Sequence, residues 1–205
     1  MKVLIHICCA PCLIGPLGAL RAEGIEPAGC FYNPNIHPLL ELRKRIKGLR
    51  VLMERDPISV EIDETYGLEQ FIRETYDPDP KKRCERCHAH RLGVVAMKAA
   101  RGGFDAFTST LLSSPHRDHE MVRALGERAA AAAGVAFLYR DFRALSESGH
   151  DEARRRGIYL QPYCGCCFSE YERFRDTTRE LYRGGGAAKA GHGLRPKDLT
   201  TDEHG

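Results

Sequence analysis

Eight of the nine cysteines in this chain lie in three tight clusters, at residues 8–12, 84–87 and 164–167, and only Cys30 stands alone. Thiolates that lie this close together on distant segments either hold a soft metal centre or cycle between a dithiol and a disulfide. Nine cysteines in 205 residues are too few for a disulfide scaffold, which a chain of this length does not need. The leading hypothesis is therefore a redox metalloenzyme.

The first cluster consists of Cys8, Cys9 and Cys12. It follows an apolar segment at residues 2–7 that predicts a buried strand, and it precedes a predicted helix at residues 14–23. A helix N terminus carries partial positive charge and free N–H groups, which lower the pKa of thiols beside it. A lone cysteine is often only a small buried residue, but three within five positions favour a chemical site.

The second cluster is the pair Cys84 and Cys87, which follows a proline-rich loop and opens a predicted helix. Its Cys-x-x-Cys spacing suits zinc, an iron–sulfur cluster or a thioredoxin-like pair, and does not distinguish among them. Histidines beside a helix start are more often at the surface or capping than metal-bound, so we expect His88 and His90 to be exposed or capping rather than metal ligands.

The third cluster contains Cys164 and Cys166, separated only by Gly165. Two cysteines at this spacing can form a strained disulfide that is easily reduced, as catalytic pairs require. We expect the adjacent Cys167 to turn away and pack against the protein.

The number of thiols favours iron–sulfur chemistry over structural zinc. Structural zinc sites use four ligands, whereas these clusters offer up to seven candidate thiols when Cys167 is set aside as a packing residue. A second metal ion would need a carboxylate or a histidine, and Asp141 is the candidate. The alternative is that Asp141 only pairs with Arg140 or Arg143.

Strand and helix patterns alternate along the chain, which predicts a parallel sheet with helices on both faces and a site at the carboxyl ends of the strands. Further strands are predicted at residues 28–32, 58–62, 104–110 and 135–139. Further helices are predicted at residues 39–55, 68–76, 84–100, 118–133, 146–156 and 169–182.

Length and composition limit the class of protein. With 205 residues, 42% of them hydrophobic, the chain suits one α/β domain, which we place at residues 1–183, followed by a glycine-rich, disordered tail at 184–205. No targeting signal opens the chain and no apolar segment reaches the length of a membrane span, so we expect a cytoplasmic protein without a membrane partner. A net charge of +3 permits a nucleic-acid substrate but does not require one.

Six stretches of the sequence together carry a family pattern: residues 6–12 (HICCAPC), 31–38 (FYNPNIHP), 84–92 (Cys-x-x-Cys followed by HxxRL), 108–116 (TSTLLSSPH), 141–143 (DFR) and 159–170 (YLQPYCGCCFSE). The set resembles the epoxyqueuosine reductases of the QueH type, and it covers most of residues 3–175.

The resemblance implies a reaction, a fold and partners. The epoxide of epoxyqueuosine in tRNA would be reduced to queuosine, the last step of queuosine formation. The substrate would be a tRNA with a GUN-type anticodon, and the electron donor is unidentified. The implied fold is a three-layer α/β/α sheet similar to the nucleotide-hydrolase (HUP/PP-loop-like) group. Because cysteines replace the glycine-rich phosphate loop after the first strand, no functional ATP loop is expected.

The resemblance also implies a cofactor and roles for particular residues. It implies a 4Fe–4S cluster and, in some members, an additional iron ion. The implied cluster ligands are Cys8, Cys9, Cys84 and Cys87. Cys164 and Cys166 would be a redox-active pair, and Cys12 would lie at the same site without a fixed role.

Two readings from other classes compete with this one. A zinc-stabilised RNA-binding module would need only four of the thiols and would perform no chemistry. A thiol–disulfide oxidoreductase would cycle the Cys-x-x-Cys pair without metal.

Overall fold

The computed structural model describes residues 1–177. Residues 1–173 form one compact unit, and a second unit begins at Phe174. The predicted tail at 184–205 lies outside the described residues, as does the end of the helix predicted at 169–182.

Five parallel strands form a single sheet in the order β3-β2-β1-β4-β5. They are β1 (Val3–His6), β2 (Ala28–Phe31), β3 (Val60–Ile62), β4 (Ala106–Ser109) and β5 (Ala136–Phe137). The central strands β1 and β4 are buried at every position, as strands covered on both faces must be. The edge strand β5 is shorter than predicted because only Ala136 and Phe137 pair with β4.

Seven helices cover the two faces of the sheet in the described part of the chain. They are α1 (Ala10–Ala22), α2 (Leu39–Arg55), α3 (Leu68–Thr75), α4 (Pro80–Arg101), α5 (His119–Ala133), α6 (Ser146–Arg155) and α7 (Cys167–Phe174). Helix α1 packs against α2 and α6, whereas α4 packs against α5, β1 and β4. With right-handed crossovers, these contacts put α1, α2 and α6 on one face and α4 and α5 on the other. The predicted three-layer α/β/α fold is confirmed.

Two helices begin earlier than predicted. Helix α1 starts at Ala10 rather than at residue 14, with Pro11 in its first turn. Helix α4 starts at Pro80 rather than at residue 84, and the Asp79 side chain caps it by accepting a hydrogen bond from Lys81 N at 2.8 Å. The cause is the same in both places, because proline needs no N–H partner in the first turn and so favours a helix start. Cys12 therefore lies on α1 rather than before it, and Cys84 lies within α4 rather than at its start.

The candidate site lies at the middle of the sheet, between β1 and β4. After β1 the chain crosses to β2, and after β4 it crosses in the opposite direction to β5. The carboxyl ends of β1 and β4 therefore open a crevice, which is where ligands bind in sheets of this kind. Cys8 and Cys9 follow β1, and a 3₁₀ turn at Thr110–Ser113 follows β4.

Hydrophobic packing forms two separate clusters in the compact unit. The larger surrounds the sheet and contains residues such as Ile5, Leu92 and Phe107. The smaller consists of Phe71, Cys87 and Cys166, with Ile72, Cys164 and Phe168 packed against it. Two of the three cysteine segments thus meet in a small cluster of their own. Over residues 1–177, no helix is both long and apolar enough to cross a membrane.

Candidate functional site

The first cysteine cluster is brought together at the crevice. The sulfur atoms of Cys8, Cys9 and Cys12 all lie within 4.8 Å of one another, close enough to hold one metal centre. Cys9 is the N-cap of α1, and Cys12 lies in its first turn. Thr110 fixes Cys8 from the 3₁₀ turn after β4, because its hydroxyl donates to Cys8 Sγ at 3.1 Å and accepts from Cys8 N at 2.9 Å.

The three thiols of this cluster differ in acidity. Hydrogen bonds from the Cys12 and Cys9 thiols hold the pKa of Cys8 well below its usual range. Burial raises the pKa of Cys9, and the hydrogen bond to Cys8 raises that of Cys12. The Gln161 amide donates to Cys9 Sγ at 2.9 Å. The cluster therefore presents one thiolate, Cys8, among two neutral thiols.

The three cysteine segments converge around Arg117. Burial alone would lower the pKa of this guanidinium, but the nearby charges of Cys164, Cys8 and Cys84 raise it, and it donates a hydrogen bond to Cys164. Arg117 comes from the loop between the 3₁₀ turn and α5, at the same edge of the sheet. A single cation thus interacts with a thiol from each segment.

The Cys84–Cys87 pair lies beside the first cluster rather than within it. Among residues 1–177, the tight group contains only Cys8, Cys9 and Cys12. Burial raises the pKa of both Cys84 and Cys87, and Arg91 donates a hydrogen bond to Cys87. Cys164 interacts electrostatically with both thiols, so this pair faces the third segment.

The third segment holds two reduced thiols at short range. Cys164 Sγ and Cys166 Sγ are 4.0 Å apart. A hydrogen bond from the Cys166 thiol lowers the pKa of Cys164 well below its usual range, and Arg117 lowers it further. The same hydrogen bond raises the pKa of Cys166. One partner is thus a thiolate and the other a thiol, the state from which thiol–disulfide exchange begins. Cys167, expected to pack aside, is half-buried at the start of α7.

A buried arginine on α2 holds the loop that carries this pair. Arg45 donates to Cys164 O and to Tyr163 O, each at 3.0 Å, and forms an ion pair with Glu41 at 2.7 Å. The backbone N–H of His37 donates to Gly165 O at 2.7 Å. Both contacts act on the backbone, so they set the loop conformation independently of the thiols.

We expect Gly165→Ala to destabilise the protein by about 1–3 kcal/mol, the usual cost of an unfavourable backbone conformation. Gly165 has φ +122°, and an added Cβ would lie 3.1 Å from Arg45 Nη1. Urea unfolding of the metal-free protein measures the effect. Gly93→Ala is the matched control, because Gly93 lies in α4 with nothing within 4 Å of its added Cβ. Equal stability of the two variants would contradict the prediction.

Buried polar side chains form the floor of the site. His6 Nδ1 lies 2.8 Å from Ser109 Oγ, and Arg91 Nη2 donates to Asn33 Oδ1 at 2.5 Å. Burial and the charge of Arg91 lower the pKa of His6 to about 3, so this ring is neutral. His88, which we expected to be exposed or capping, is instead buried at 2% exposure, and burial lowers its pKa to about 3. It lies on the buried face of α4, together with Arg91 and Leu92.

Comparison with known proteins identifies the family. The family model described as Epoxyqueuosine reductase QueH matches residues 3–172. The chain belongs to the QueH family. A curated Epoxyqueuosine reductase QueH from Thermotoga maritima is 35% identical over 200 residues, covering 93% of this chain and 98% of the relative. One from Dehalococcoides mccartyi is 33% identical over 173 residues, covering 84% and 94%. The predicted family and its class, oxidoreductase, are confirmed.

Among solved structures, a crystal structure described as a predicted subunit of tRNA methyltransferase from Methanocaldococcus jannaschii aligns with a TM-score of 0.43 and 12% identity. The alignment covers 77% of this chain and 88% of that one. The fold of this QueH-family chain is therefore assigned from its own strand order and not from this alignment.

The contacts of Asp141 are with an arginine and a histidine rather than with the thiols. Its carboxylate accepts hydrogen bonds from Arg143, at 2.6 Å from Nη2, and lies 3.6 Å from His119 Nε2. These bonds lower its pKa to about 2. The sequence left two interpretations of Asp141 open, and pairing with Arg143 is one of them. The other interpretation, that Asp141 is a carboxylate ligand of a second metal ion, stays a prediction for this QueH-family chain.

Four residues of this QueH site were missed as functional from the sequence: Arg45, Thr110, Arg117 and Gln161. Thr110 and Gln161 lie inside the stretches that carried the family resemblance, and Arg117 follows one of them directly. The available signal was position, since Thr110 and Arg117 come after a predicted strand, where sites of α/β enzymes lie.

Proposed function

We propose that this chain reduces the epoxide of epoxyqueuosine in tRNA to the alkene of queuosine, the last step of queuosine formation. The observation that carries the proposal is the approach of all three cysteine segments to Arg117 at the crevice between β1 and β4. The QueH family match over residues 3–172 supports the same substrate. The proposed substrate is a tRNA with a GUN-type anticodon, in the cytoplasm, with an electron donor of unknown identity.

The residues present fit an iron–sulfur centre. Thiolates are the ligands that such clusters require, and three sulfur atoms already lie within 4.8 Å of one another. The proposed ligands of a 4Fe–4S cluster are Cys8, Cys9, Cys84 and Cys87. Cys12 competes for the place of one of the α4 cysteines, because it is the thiol grouped with Cys8 and Cys9. When bound, such a cluster transfers single electrons.

We propose that the Cys164–Cys166 pair supplies two electrons together with a proton, which single-electron transfer by a cluster does not provide. Reduction of an epoxide to an alkene consumes two electrons and two protons, breaks both C–O bonds and releases water. Oxidation of the Cys164 thiolate and the Cys166 thiol to one disulfide releases two electrons and one proton, so the second proton must come from another group. The two sulfur atoms of the pair lie 4.0 Å apart, and the external donor would reduce the disulfide again after each cycle.

The remaining candidate, Asp141, is the proposed carboxylate for an additional iron ion, and its low pKa of about 2 keeps it ionised.

The proposal is tested by anaerobic purification and reconstitution, followed by an assay for loss of epoxyqueuosine from tRNA with a chemical reductant. We expect about four irons per chain, absorption near 400 nm and conversion to queuosine. Stoichiometric zinc with no visible absorption and no conversion would instead favour the RNA-binding module.

We expect Cys164→Ser to keep its iron and lose turnover. A serine hydroxyl cannot form the disulfide or act as a thiolate, whereas the proposed cluster ligands remain in place. Iron content and single-turnover conversion are measured on the same preparation. Cys167→Ser is the control, because Cys167 lies next to the pair but has no part in the proposed exchange. Full activity of Cys164→Ser would remove the disulfide from the mechanism.

A further inference from the structure

A small polar pocket opens at the carboxyl ends of β2 and β3, beside the cysteine site. Its volume is about 160 Å³, and the polar side chains that line it include Tyr32, Asn33, Asp63, Thr65 and Gln70. Nothing in the proposed chemistry of the thiols uses these residues.

A continuous chain of hydrogen bonds runs from the rim of this pocket to its wall. Gln70 Nε2 donates to Glu74 Oε1 at 3.0 Å. The other Glu74 oxygen lies 3.0 Å from His90 Nδ1, and His90 Nε2 lies 2.8 Å from the Tyr32 hydroxyl. Exposure falls along this chain, from 40% at the Glu74 side chain to 25% at that of His90. A carboxylate, an imidazole and a phenol in this order form a path for protons from solvent to the pocket.

The pocket adjoins the thiols through Asn33. This residue lines the pocket, donates to Ile7 O at 2.8 Å next to Cys8, and accepts from Arg91, which also bonds to Cys87. His90 lies three residues after Cys87 on α4. A substrate group in the pocket would therefore lie between the relay and the cysteine site.

We propose that the Tyr32 hydroxyl, backed by His90 and Glu74, donates a proton to the oxygen that leaves the substrate's epoxide ring. The proposal rests on the proposed function, which requires two protons per turnover. In the step, the Tyr32 O–H bond breaks and the proton moves to the epoxide oxygen as its C–O bond opens. The proton on His90 Nε2 then replaces it, and solvent reprotonates the imidazole through the Glu74 carboxylate. The two electrons and the other proton come from the Cys164–Cys166 pair, which the external donor reduces again, and the second C–O bond breaks with release of water.

The electrostatics of the pocket keep Tyr32 protonated. Burial, together with the carboxylates of Asp63 and Glu74, raises the pKa of its hydroxyl. The tyrosine therefore acts as a proton donor rather than as a phenolate. The charged and titratable groups facing Tyr32 are Asp63 after β3, Glu74 of α3, Lys98 of α4 and Cys30 of β2.

The hydrogen bonds set the direction of proton transfer. A His90 ring with a proton on both nitrogens donates to both Glu74 and Tyr32, which leaves the tyrosine proton directed into the pocket. A ring with its proton on Nδ1 alone instead accepts the tyrosine proton at Nε2, which takes it away from the substrate. Proton transfer to the substrate through this relay therefore requires a proton on His90 Nε2.

The test uses the reconstituted enzyme with tRNA that carries epoxyqueuosine. Tyr32→Phe is expected to lower kcat by about 100- to 10,000-fold, the range for loss of a general acid, with unchanged iron content. His90→Gln is expected to lower kcat by slowing the reprotonation of Tyr32, with unchanged KM and iron content. Tyr76→Phe is the matched control, because it removes a hydroxyl from an exposed tyrosine and should keep wild-type kcat.

The outcomes separate this proposal from the proposed function. If the wild-type enzyme turns over and the kcat of Tyr32→Phe lies within about twofold of the wild-type kcat, the relay is overturned and the proposed function stands. A wild-type kcat in His90→Gln would also overturn the relay. If the wild-type enzyme has no turnover, the function itself fails and the relay fails with it.

Discussion

Alanine at position 84 or 87 is expected to abolish the iron–sulfur centre and with it all turnover. The reason is that each substitution removes one of four proposed ligands, and the nearest surplus thiol, Cys12, lies in the group of Cys8 and Cys9 rather than on α4. Iron and sulfide per chain, with absorption near 400 nm, are measured after anaerobic reconstitution of each variant.

Cys30→Ala is the matched control for this experiment. Cys30 is a buried thiol of β2 that packs in the large cluster around the sheet, so its loss should leave iron content at the wild-type level. Cys12→Ala completes the series, because it tests the competing ligand directly. Wild-type iron in Cys84→Ala or Cys87→Ala, with loss of iron in Cys12→Ala, would contradict the proposed set and replace it with one that includes Cys12.

Arg45→Met is expected to destabilise the metal-free protein by about 3–5 kcal/mol. The substitution leaves the buried Glu41 carboxylate without its ion pair and removes both hydrogen bonds to the loop that carries Cys164. The side chains of Arg45 and Glu41 are 2% and 6% exposed, so water cannot replace the lost partner. Urea unfolding followed by circular dichroism measures the change in the free energy of unfolding.

Two further variants show where the effect of Arg45 arises. Arg43→Met, on the exposed side of the same helix, should change the free energy of unfolding by less than about 0.5 kcal/mol. The double variant Arg45→Met/Glu41→Leu should recover much of the loss, because it leaves no uncompensated buried charge. If Arg45→Met alone unfolds like the wild type, the ion pair does not stabilise the fold.

The fold was largely predictable because its signals are local. The alternation of apolar strands with amphipathic helices gave the parallel three-layer arrangement, and α2 has the predicted bounds. The starts of α1 and α4 were not predicted, because the apolar periodicity of α1 begins only after Pro11 and because Pro80 was taken as a break. Each proline occupies the first turn of a helix, where its fixed φ and missing N–H are favourable.

The site was predictable where its members are neighbours in the sequence. Cysteine spacing alone identified the three clusters, and their approach to one edge followed from the sheet topology. Arg45 could not be assigned in this way, because it lies in a run of basic residues typical of an exposed helix face, and its partner loop lies 119 residues away. Arg117 is similar, since its contacts with three distant thiols arise only when the chain is folded.

The separation of the two hydrophobic clusters has a consequence for how the enzyme matures. The large cluster around the sheet needs no metal to bury its side chains, whereas Cys87 and Cys166 belong to the small one. Unlike a zinc finger, which is unfolded without its ion, this scaffold should fold first and receive its cofactor afterwards. Exposure to oxygen would then remove the proposed iron–sulfur centre from a polypeptide that stays folded, so the same protein could be loaded again.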